Sequence, residues 1–301
     1  MIKENIMQIQ TDKSLKEQKF HGSYDFPLLI SRERITAYES DSFLWHWHPE
    51  IEITVVTSGE MLYHVNNCHM HLKTGDALFG NTKTLHSGSM YEHSDCAYTS
   101  ITFDAKLLYG SESSILYHTY MKPILQNYAF PCLHFDGSRP WHTNALSHLH
   151  TMTGAYEQGD TAWEFEVLEH LLAFWKLLYL HADTTNALST ADRRTYERIR
   201  NILTYIEANY DSKLTLEDIA DHIHLCKSEC CRMFKRYMRQ SLFDFILAYR
   251  IEKSLPYLSD NSYSIQAVSE KAGFSDANYF SRVFKQLKGC SPSAFRKEIL
   301  H

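Results

Sequence analysis

No stretch of eighteen consecutive apolar residues occurs in this chain, so the sequence offers no transmembrane helix. Its most apolar segment, Trp163 to Leu180, is broken by Glu164, Glu166, Glu169, His170 and Lys176. The first twenty residues, Met1 to Phe20, are polar and charged and lack the apolar core of a secretory signal, so none is expected. No pair of C-x-x-C motifs is present. The seven cysteines are scattered and odd in number, which argues against a disulfide framework and for a reducing cytoplasm.

What is present divides into two halves. A length of 301 residues allows two domains, each with its own core. The net charge of −6 hides an asymmetry. Met1 to Asp192 carries 12 Lys and Arg against 23 Asp and Glu, a net of −11; Arg193 to His301 carries 18 against 13, a net of +5. An acidic front and a basic back suit a C-terminal half that binds nucleic acid. Between them lies HADTTNALSTADRRT, His181 to Thr195, which is polar, has no strong apolar face and reads as a linker.

In the N-terminal half, Met1 to Ser23 reads as a loose lead-in. From about Phe26 short β-like runs are punctuated by Gly, Asn and Asp. The informative piece is His46-Trp47-His48-Pro49-Glu50-Ile51-Glu52, continuing through ITVVTSG to Gly59. Side chains two apart on a strand share a face, so His46, His48 and Glu52 are expected to converge on one interior surface, although Pro49 interrupts the ladder. A run from Tyr63 to Leu72 leads into a tight turn, Lys73-Thr74-Gly75-Asp76, then a strand over Ala77 to Phe79, a loop and His86. Imidazole and carboxylate at such spacing suit iron, manganese, nickel or zinc. Trp45, Trp47, Tyr63 and Tyr98 suit a pocket for a carbohydrate or small organic acid, and equally a small barrel core. From about Ser113 helices are expected, over Trp141 to Glu157 and Trp163 to His181. The second has two apolar stripes: Phe165, Leu168, Leu172, Trp175 and Tyr179, with Val167, Leu171, Phe174 and Leu178 beside them. So wide a surface implies contact with the barrel and with a second body.

In the C-terminal half, a helix over Arg194 to Tyr210 puts Ile199, Ile202, Leu203 and Ile206 on one side. Thr215 is placed to cap the next helix, with Asp218 at the capping-box position and Leu216, Ile219, Ala220 and Ile223 inward. A basic helix over roughly Lys227 to Met238 follows, carrying Arg232, Lys235, Arg236 and Arg239. A long helix over Phe243 to Leu258 contains Pro256, which is expected to end it early. An apolar helical run, Ile265 to Ala272, then ends on Gly273, and Ser275 or Asp276 can cap a new helix within three residues. That stop and restart is a helix-turn-helix signature. In the new helix Tyr279, Phe280, Val283, Phe284 and Leu287 form the buried face. Ala277, Asn278, Ser281, Arg282 and Lys285 lie on the other faces, the residue types that meet base edges and phosphates.

The stretch GFSDANYFSRVFKQLKGCSPSAFR, Gly273 to Arg296, resembles the signature of AraC/XylS-type transcription regulators over more than twenty nearly continuous positions. LTLEDIADHIHL and CRMFKRYMRQSLFDFILAYRIEKS resemble the same family's first supporting helix, first recognition helix and linking helix. The resemblance implies two helix-turn-helix motifs joined by one long helix. By position, Ser228, Cys231 and Arg232 of the first recognition helix and Ala277, Asn278, Ser281 and Arg282 of the second would face base edges. Lys227, Lys235, Arg236 and Lys285 would meet phosphates. Two positions depart from the family. His224 stands where Gly is frequent, and Cys226 stands where a capping Ser is usual, so Ser228 is expected to cap instead. Upstream, H-x-H-x3-E-x6-G followed by G-D and a later His resembles the paired motifs of cupin barrels, whose metal ligands would here be His46, His48, Glu52 and His86. The second motif is degraded, with Asn81-Thr82-Lys83-Thr84-Leu85 in place of the usual approach to the late His. That favours no metal and no cofactor, with His46, His48, Glu52, Tyr63 and His86 lining an effector pocket. A metal site and a purely structural cluster stay open.

The expectation is an α+β multidomain protein. Residues 1–182 form a cupin-like effector-sensing and dimerisation domain, 183–195 a linker, and 196–301 an all-α double helix-turn-helix domain. It would be a cytoplasmic, non-enzymatic regulator with double-stranded DNA, a small-molecule effector such as a sugar, a second copy of itself and, if it activates, RNA polymerase as partners. The alternative is a metal-dependent cupin enzyme fused to a DNA-binding domain.

Overall fold

The computed structural model describes residues 8–12, 15–38, 41–92, 94–127, 129–182, 190–238 and 240–299. Of the expected linker, 183–189 lie outside them, as does Arg239. The chain divides into two compact units. One comprises 17–36 and 42–193; the other comprises the described residues of 1–16, 37–41 and 194–301. No helix among the described residues is long and apolar enough to cross a membrane.

Among the described residues the first unit holds nine strands: β1 (Leu28–Arg34), β2 (Ser42–His46), β3 (Ile51–Ser58), β4 (Glu60–Val65), β5 (Cys68–Lys73), β6 (Ala77–Gly80), β7 (His86–Met90), β8 (Ala97–Phe103) and β9 (Cys132–Phe135). They form two antiparallel sheets, β1-β8-β3-β6-β9 and β2-β7-β4-β5. The run expected over Tyr63 to Leu72 is a hairpin, broken where Val65 pairs with Cys68 and Asn66 takes a left-handed φ of 50°. Asn66 holds the turn by exchanging two hydrogen bonds with Leu85. The turn at Gly75 is as expected, with φ 93° and Asp76 accepting from the Lys73 amide at 3.0 Å. The strand β9 follows the first helical turns, α1 (Lys106–Tyr109) and α2 (Lys122–Leu125), and returns the chain to the sheet edge at β6.

Period-two alternation makes the five-stranded sheet two-faced. On β3, Ile51 and Ile53 join Phe79, Ile101 and Phe103 in the core against α3 (Pro140–Gln158) and α4 (Trp163–His181). Register places Glu52 opposite Thr102 and Thr54 opposite Ser100, so these polar side chains share the other face. In α4, Val167, Leu171, Phe174, Trp175 and Leu178 are fully buried, each contributing roughly 1.5–3 kcal/mol of burial. Of the neighbouring stripe only Trp175 is buried this deeply; Phe165 is 77 % exposed and Leu172 41 %.

The second unit contains α5 (Thr190–Asn209), α6 (Leu216–His222), α7 (Lys227–Met238), α8 (Leu242–Ser259), α9 (Ile265–Lys271), α10 (Ala277–Lys288) and α11 (Pro292–Ile299). Ile199, Ile202, Leu203 and Ile206 of α5 are buried as their spacing requires. Pro256 does not end α8 early. The helix continues to Ser259 because Leu255 and Leu258 are anchored in the core with Phe280 and Phe284, and Arg296 donates to the Leu258 carbonyl at 3.1 Å.

Candidate effector cluster and nucleic-acid interface

At one end of the barrel the two sheets bring four side chains together. His46 closes β2 and pairs in register with His86 at the start of β7; His48 lies in the turn after β2; Glu52 comes from β3. The three imidazoles are buried and Glu52 is 14 % exposed. Their donor atoms all lie within 4.8 Å of one another. The degraded second motif has therefore not displaced His86.

Two ring orientations are fixed by backbone. His46 Nδ1 lies 2.8 Å from the Leu44 carbonyl and His86 Nδ1 lies 3.1 Å from that of Thr84. An N–H donated there leaves each Nε2 with its lone pair facing inward. His86 Nε2 then faces Glu52 Oε2 at 3.5 Å, acceptor against acceptor, and has no hydrogen-bond partner among the described residues. Desolvation, reinforced by the neighbouring His86 and His48, holds His46 well below the usual histidine range, so it is neutral. Burial works against charge on His48 too, but Glu50 and Glu52 outweigh it and raise its pKa to about 9. Glu52 stays ionised despite its burial, held low first by its hydrogen bond with His48. Its other oxygen accepts from the Thr54 and Tyr63 hydroxyls, each at 3.1 Å. Nitrogen and carboxylate donors in this arrangement fit a divalent transition ion by chemistry and orientation. Donor atoms this close converge on a point the size of an ion, so a larger ligand would meet the cluster at its rim.

From Glu17 to Ser23 the lead-in is not loose. The Glu17 amide donates to the Trp47 carbonyl at 2.9 Å, and His21, 5 % exposed, stacks obliquely on His48 with ring centres 5.0 Å apart. Glu17, His21, Glu50 and Thr54 all belong to the polar cluster and were not among the expected residues. Thr54 was available from the alternation that placed Glu52. His21 and Glu17 carry no local signal, because only the tertiary fold returns them to this end of the barrel.

In the helical unit the caps follow the sequence. Thr215 and Asp218 form a complete capping box, and Asp276 accepts from the Asn278 and Tyr279 amides at 2.7 and 2.9 Å. The helix α7 begins at Lys227, so Ser228 does not shift its start; the Cys226 thiol lies 3.3 Å from the Ser228 hydroxyl. His224 adopts a left-handed φ of 54°, keeping the turn without glycine. On α7, Lys227, Ser228, Arg232, Lys235 and Arg236 are exposed, Cys231 is half-buried and Cys230 is buried; Lys227 is paired with Glu217 at 3.3 Å. On α10, Asn278, Arg282 and Lys285 are exposed and Ala277 and Ser281 half-buried, the Ser281 hydroxyl donating to the Ala277 carbonyl at 2.8 Å. The inward face of α10 is narrower than its spacing implied. Phe280, Val283 and Phe284 are buried, whereas Tyr279 is 40 % and Leu287 47 % exposed. Tyr279 instead lies beside Arg282, whose guanidinium carbon is 5.2 Å from the ring centre. Likewise Leu216 is only half-buried beneath Ile219, Ala220 and Ile223.

Comparison with known proteins agrees with both units. Residues 30–150 match the AraC-like ligand binding domain, and residues 219–298 match a helix-turn-helix domain. The HTH-type transcriptional regulator YdeC of Bacillus subtilis is 28 % identical over 286 residues, 95 % of this chain and 97 % of that protein. The melibiose operon regulatory protein of Escherichia coli is 23 % identical over 257 residues, 84 % of this chain and 83 % of that protein. The crystal structure of ToxT from Vibrio cholerae aligns over 90 % of this chain and 98 % of its own, at 14 % identity and a TM-score of 0.41. With a ligand-binding barrel ahead of two helix-turn-helix motifs, and regulators as full-length relatives, the chain belongs to the AraC family of transcriptional regulators.

Proposed function

We propose that this regulator binds double-stranded operator DNA through α7 and α10, and that a small polar effector at the His46–His48–Glu52–Tyr63–His86 end of the barrel sets its occupancy. Arg232 and Arg282 read base edges together with Ser228, Cys231, Ala277, Asn278 and Ser281; Lys227, Lys235, Arg236 and Lys285 bind phosphates. The observation that carries the sensor assignment is the inward-facing Glu52, with hydroxyls from Thr54 and Tyr63 on one oxygen and imidazoles on the other. Such a surface suits a sugar or similar hydroxylated metabolite meeting its rim, and the name of the melibiose operon relative supports that class. The exposed Phe165 and Leu172 face of α4 supports a homodimer. The protein works in the cytoplasm, and contacts RNA polymerase if it activates.

Effector binding acts as a population shift between two holds on the reader. A thermal-shift screen with sugars and small metabolites should find a ligand that raises the melting midpoint and changes operator affinity. His46→Ala should abolish that response and leave basal DNA binding intact. Loss of basal DNA binding in His46→Ala at unchanged fold would refute the separation of sensor from reader. The second reading, a metal-dependent enzyme fused to a DNA-binding domain, draws on the ion-sized gap among the four donors. Turnover of a small substrate by the metal-loaded protein would favour it.

A further inference from the structure

Beside the barrel quartet lies a second convergence of donors. It is built from His21 of the lead-in, His48 of the turn after β2 and Glu50 just ahead of β3. Their ligand atoms lie within 4.8 Å of one another. Glu50 Oε2 is 3.8 Å from His21 Nδ1 and 3.5 Å from His48 Nδ1. All three atoms are shielded from solvent, and none has a hydrogen-bond partner among the described residues. Leaving one buried acceptor unsatisfied costs about 1–3 kcal/mol, so three pointing at one spot need a common explanation.

The other nitrogen of each ring is occupied. His21 Nε2 is 3.3 Å from Glu17 Oε2, and His48 Nε2 is 3.1 Å from Glu52 Oε2. With Nε2–H donated to these carboxylates, both Nδ1 lone pairs face the Glu50 oxygen. Acceptors facing acceptors call for a cation between them: a proton on the imidazole in the ion-free protein, as the raised pKa of His48 reflects, or one metal ion that all three atoms share. Histidines backed by carboxylates on the far nitrogen are the usual second layer of a metal centre. Tetrahedral ligands at about 2.0–2.1 Å from a first-row ion stand roughly 3.3–3.4 Å apart, so the 3.5 and 3.8 Å separations close with shifts of a few tenths of an ångström.

We propose that His21 Nδ1, His48 Nδ1 and Glu50 Oε2 bind a divalent first-row transition ion, with Glu17 and Glu52 positioning the two imidazoles. This site goes beyond the effector reading and is distinct from the His46–His48–Glu52–His86 quartet. In it Glu52 supports a ligand instead of being one, and His46 and His86 take no part. Two imidazoles and one carboxylate leave a fourth position open to water or an exogenous ligand. The ion ties Glu17–His21 to the turn ahead of β3, so metal availability sets how the sensor end is closed.

The test uses the full chain, freed of metal by a chelator and titrated with Co(II) and with Zn(II). One equivalent of Co(II) should bind with visible ligand-field absorption of a low-symmetry four-coordinate ion, and Zn(II) should displace it and raise the melting midpoint. His21→Ala and Glu50→Gln should each weaken binding at least 100-fold, Glu17→Gln about 10–100-fold, and His86→Ala less than threefold. Operator affinity of each variant at low salt reports whether the reader is folded, and it is the measurement on which the regulator reading itself stands or falls. Binding lost in His86→Ala but kept in His21→Ala would put the ion in the quartet and overturn the proposal. Absence of Co(II) or Zn(II) binding at a hundred micromolar by a protein that still binds DNA would overturn it as well.

Discussion

Gly273 should tolerate no side chain, and the structure says how much alanine costs. The residue ends α9 with φ 81°, a conformation that costs an alanine about 1–2 kcal/mol. A Cβ built there would lie 2.1 Å from the Tyr210 carbonyl oxygen and 3.0 Å from Arg250 Nε. That carbonyl cannot simply retreat, since it accepts from Arg250 Nε at 2.8 Å while Arg250 Nη2 donates to the Ser212 carbonyl at 2.8 Å. Relief means moving the end of α5 or the turn, and forced insertions of this kind cost about 1–3 kcal/mol. The sum for Gly273→Ala is about 2–5 kcal/mol. For a helical unit of this size roughly 4–8 °C accompany each kcal/mol, so its transition should fall by at least about 8 °C. Calorimetry on the full chain reads this, with two transitions resolved if the units melt separately. The matching position of the first motif supplies the control. His224 already bears a Cβ at φ 54° and is exposed. His224→Gly removes about 1 kcal/mol of strain and adds a similar entropic loss, so its midpoint should stay level or rise by a few degrees. A Gly273→Ala protein melting within about 1 °C of the parent would refute the packing of this turn on Tyr210.

On the operator, Arg232→Ala and Arg282→Ala should each cost about 1–3 kcal/mol and relax specificity at one position, the two positions about one helical turn apart; footprints affected at the same base pairs would contradict a two-motif reader. For the metal-free sensor, charge pairing sets a pH optimum. His48, raised from 6.5 to about 9, contributes stability that is complete below pH 6.5 and lost as pH rises toward 9. Glu50 and Glu52, held below 4.5, contribute stability present above pH 4.5 and lost on acidification. His46, buried neutral and held well below 6.5, costs stability as pH falls below that value, so the apo melting midpoint should peak near pH 6.5. Bound metal should reverse the alkaline limb, because ligation needs unprotonated nitrogens; an apo midpoint that climbs steadily from pH 6.5 to 9 would refute the pairing.

What the sequence discloses here follows how far each interaction reaches along the chain. Thr215 and Asp218 are three residues apart, so the capping box is written locally, and α6 begins where it says. The limits of α7 and α4 are legible for the same reason: one period holds throughout and breaks at both ends. Periodicity gives the direction of a face but not its width. Tyr279 and Leu287 sit at the margin of the stripe centred on Phe280 and Phe284, and whether a margin is covered depends on neighbouring helices. Pro256 misleads for a related reason: a local helix breaker is overridden by the burial of Leu255 and Leu258 on either side. The candidate site divides in the same way. His46, His48 and Glu52 are placed by the end of β2, the turn after it and the start of β3, and His86 by register with His46. His21 reaches the site only because the Glu17 amide bonds to Trp47, a contact without any periodic trace. Glu50 lies between two residues whose inward direction alternation explains, and strict alternation across Pro49 would group it with them. It nevertheless faces His21 and not the barrel interior. One short segment thus presents carboxylates two residues apart to opposite sides of the His48 ring, Glu52 at Nε2 and Glu50 at Nδ1. That division is why two donor clusters share one histidine. It also means that any ligand drawing on His48 from one side alters its hydrogen bonding on the other, which couples the lead-in to the barrel interior through a single imidazole.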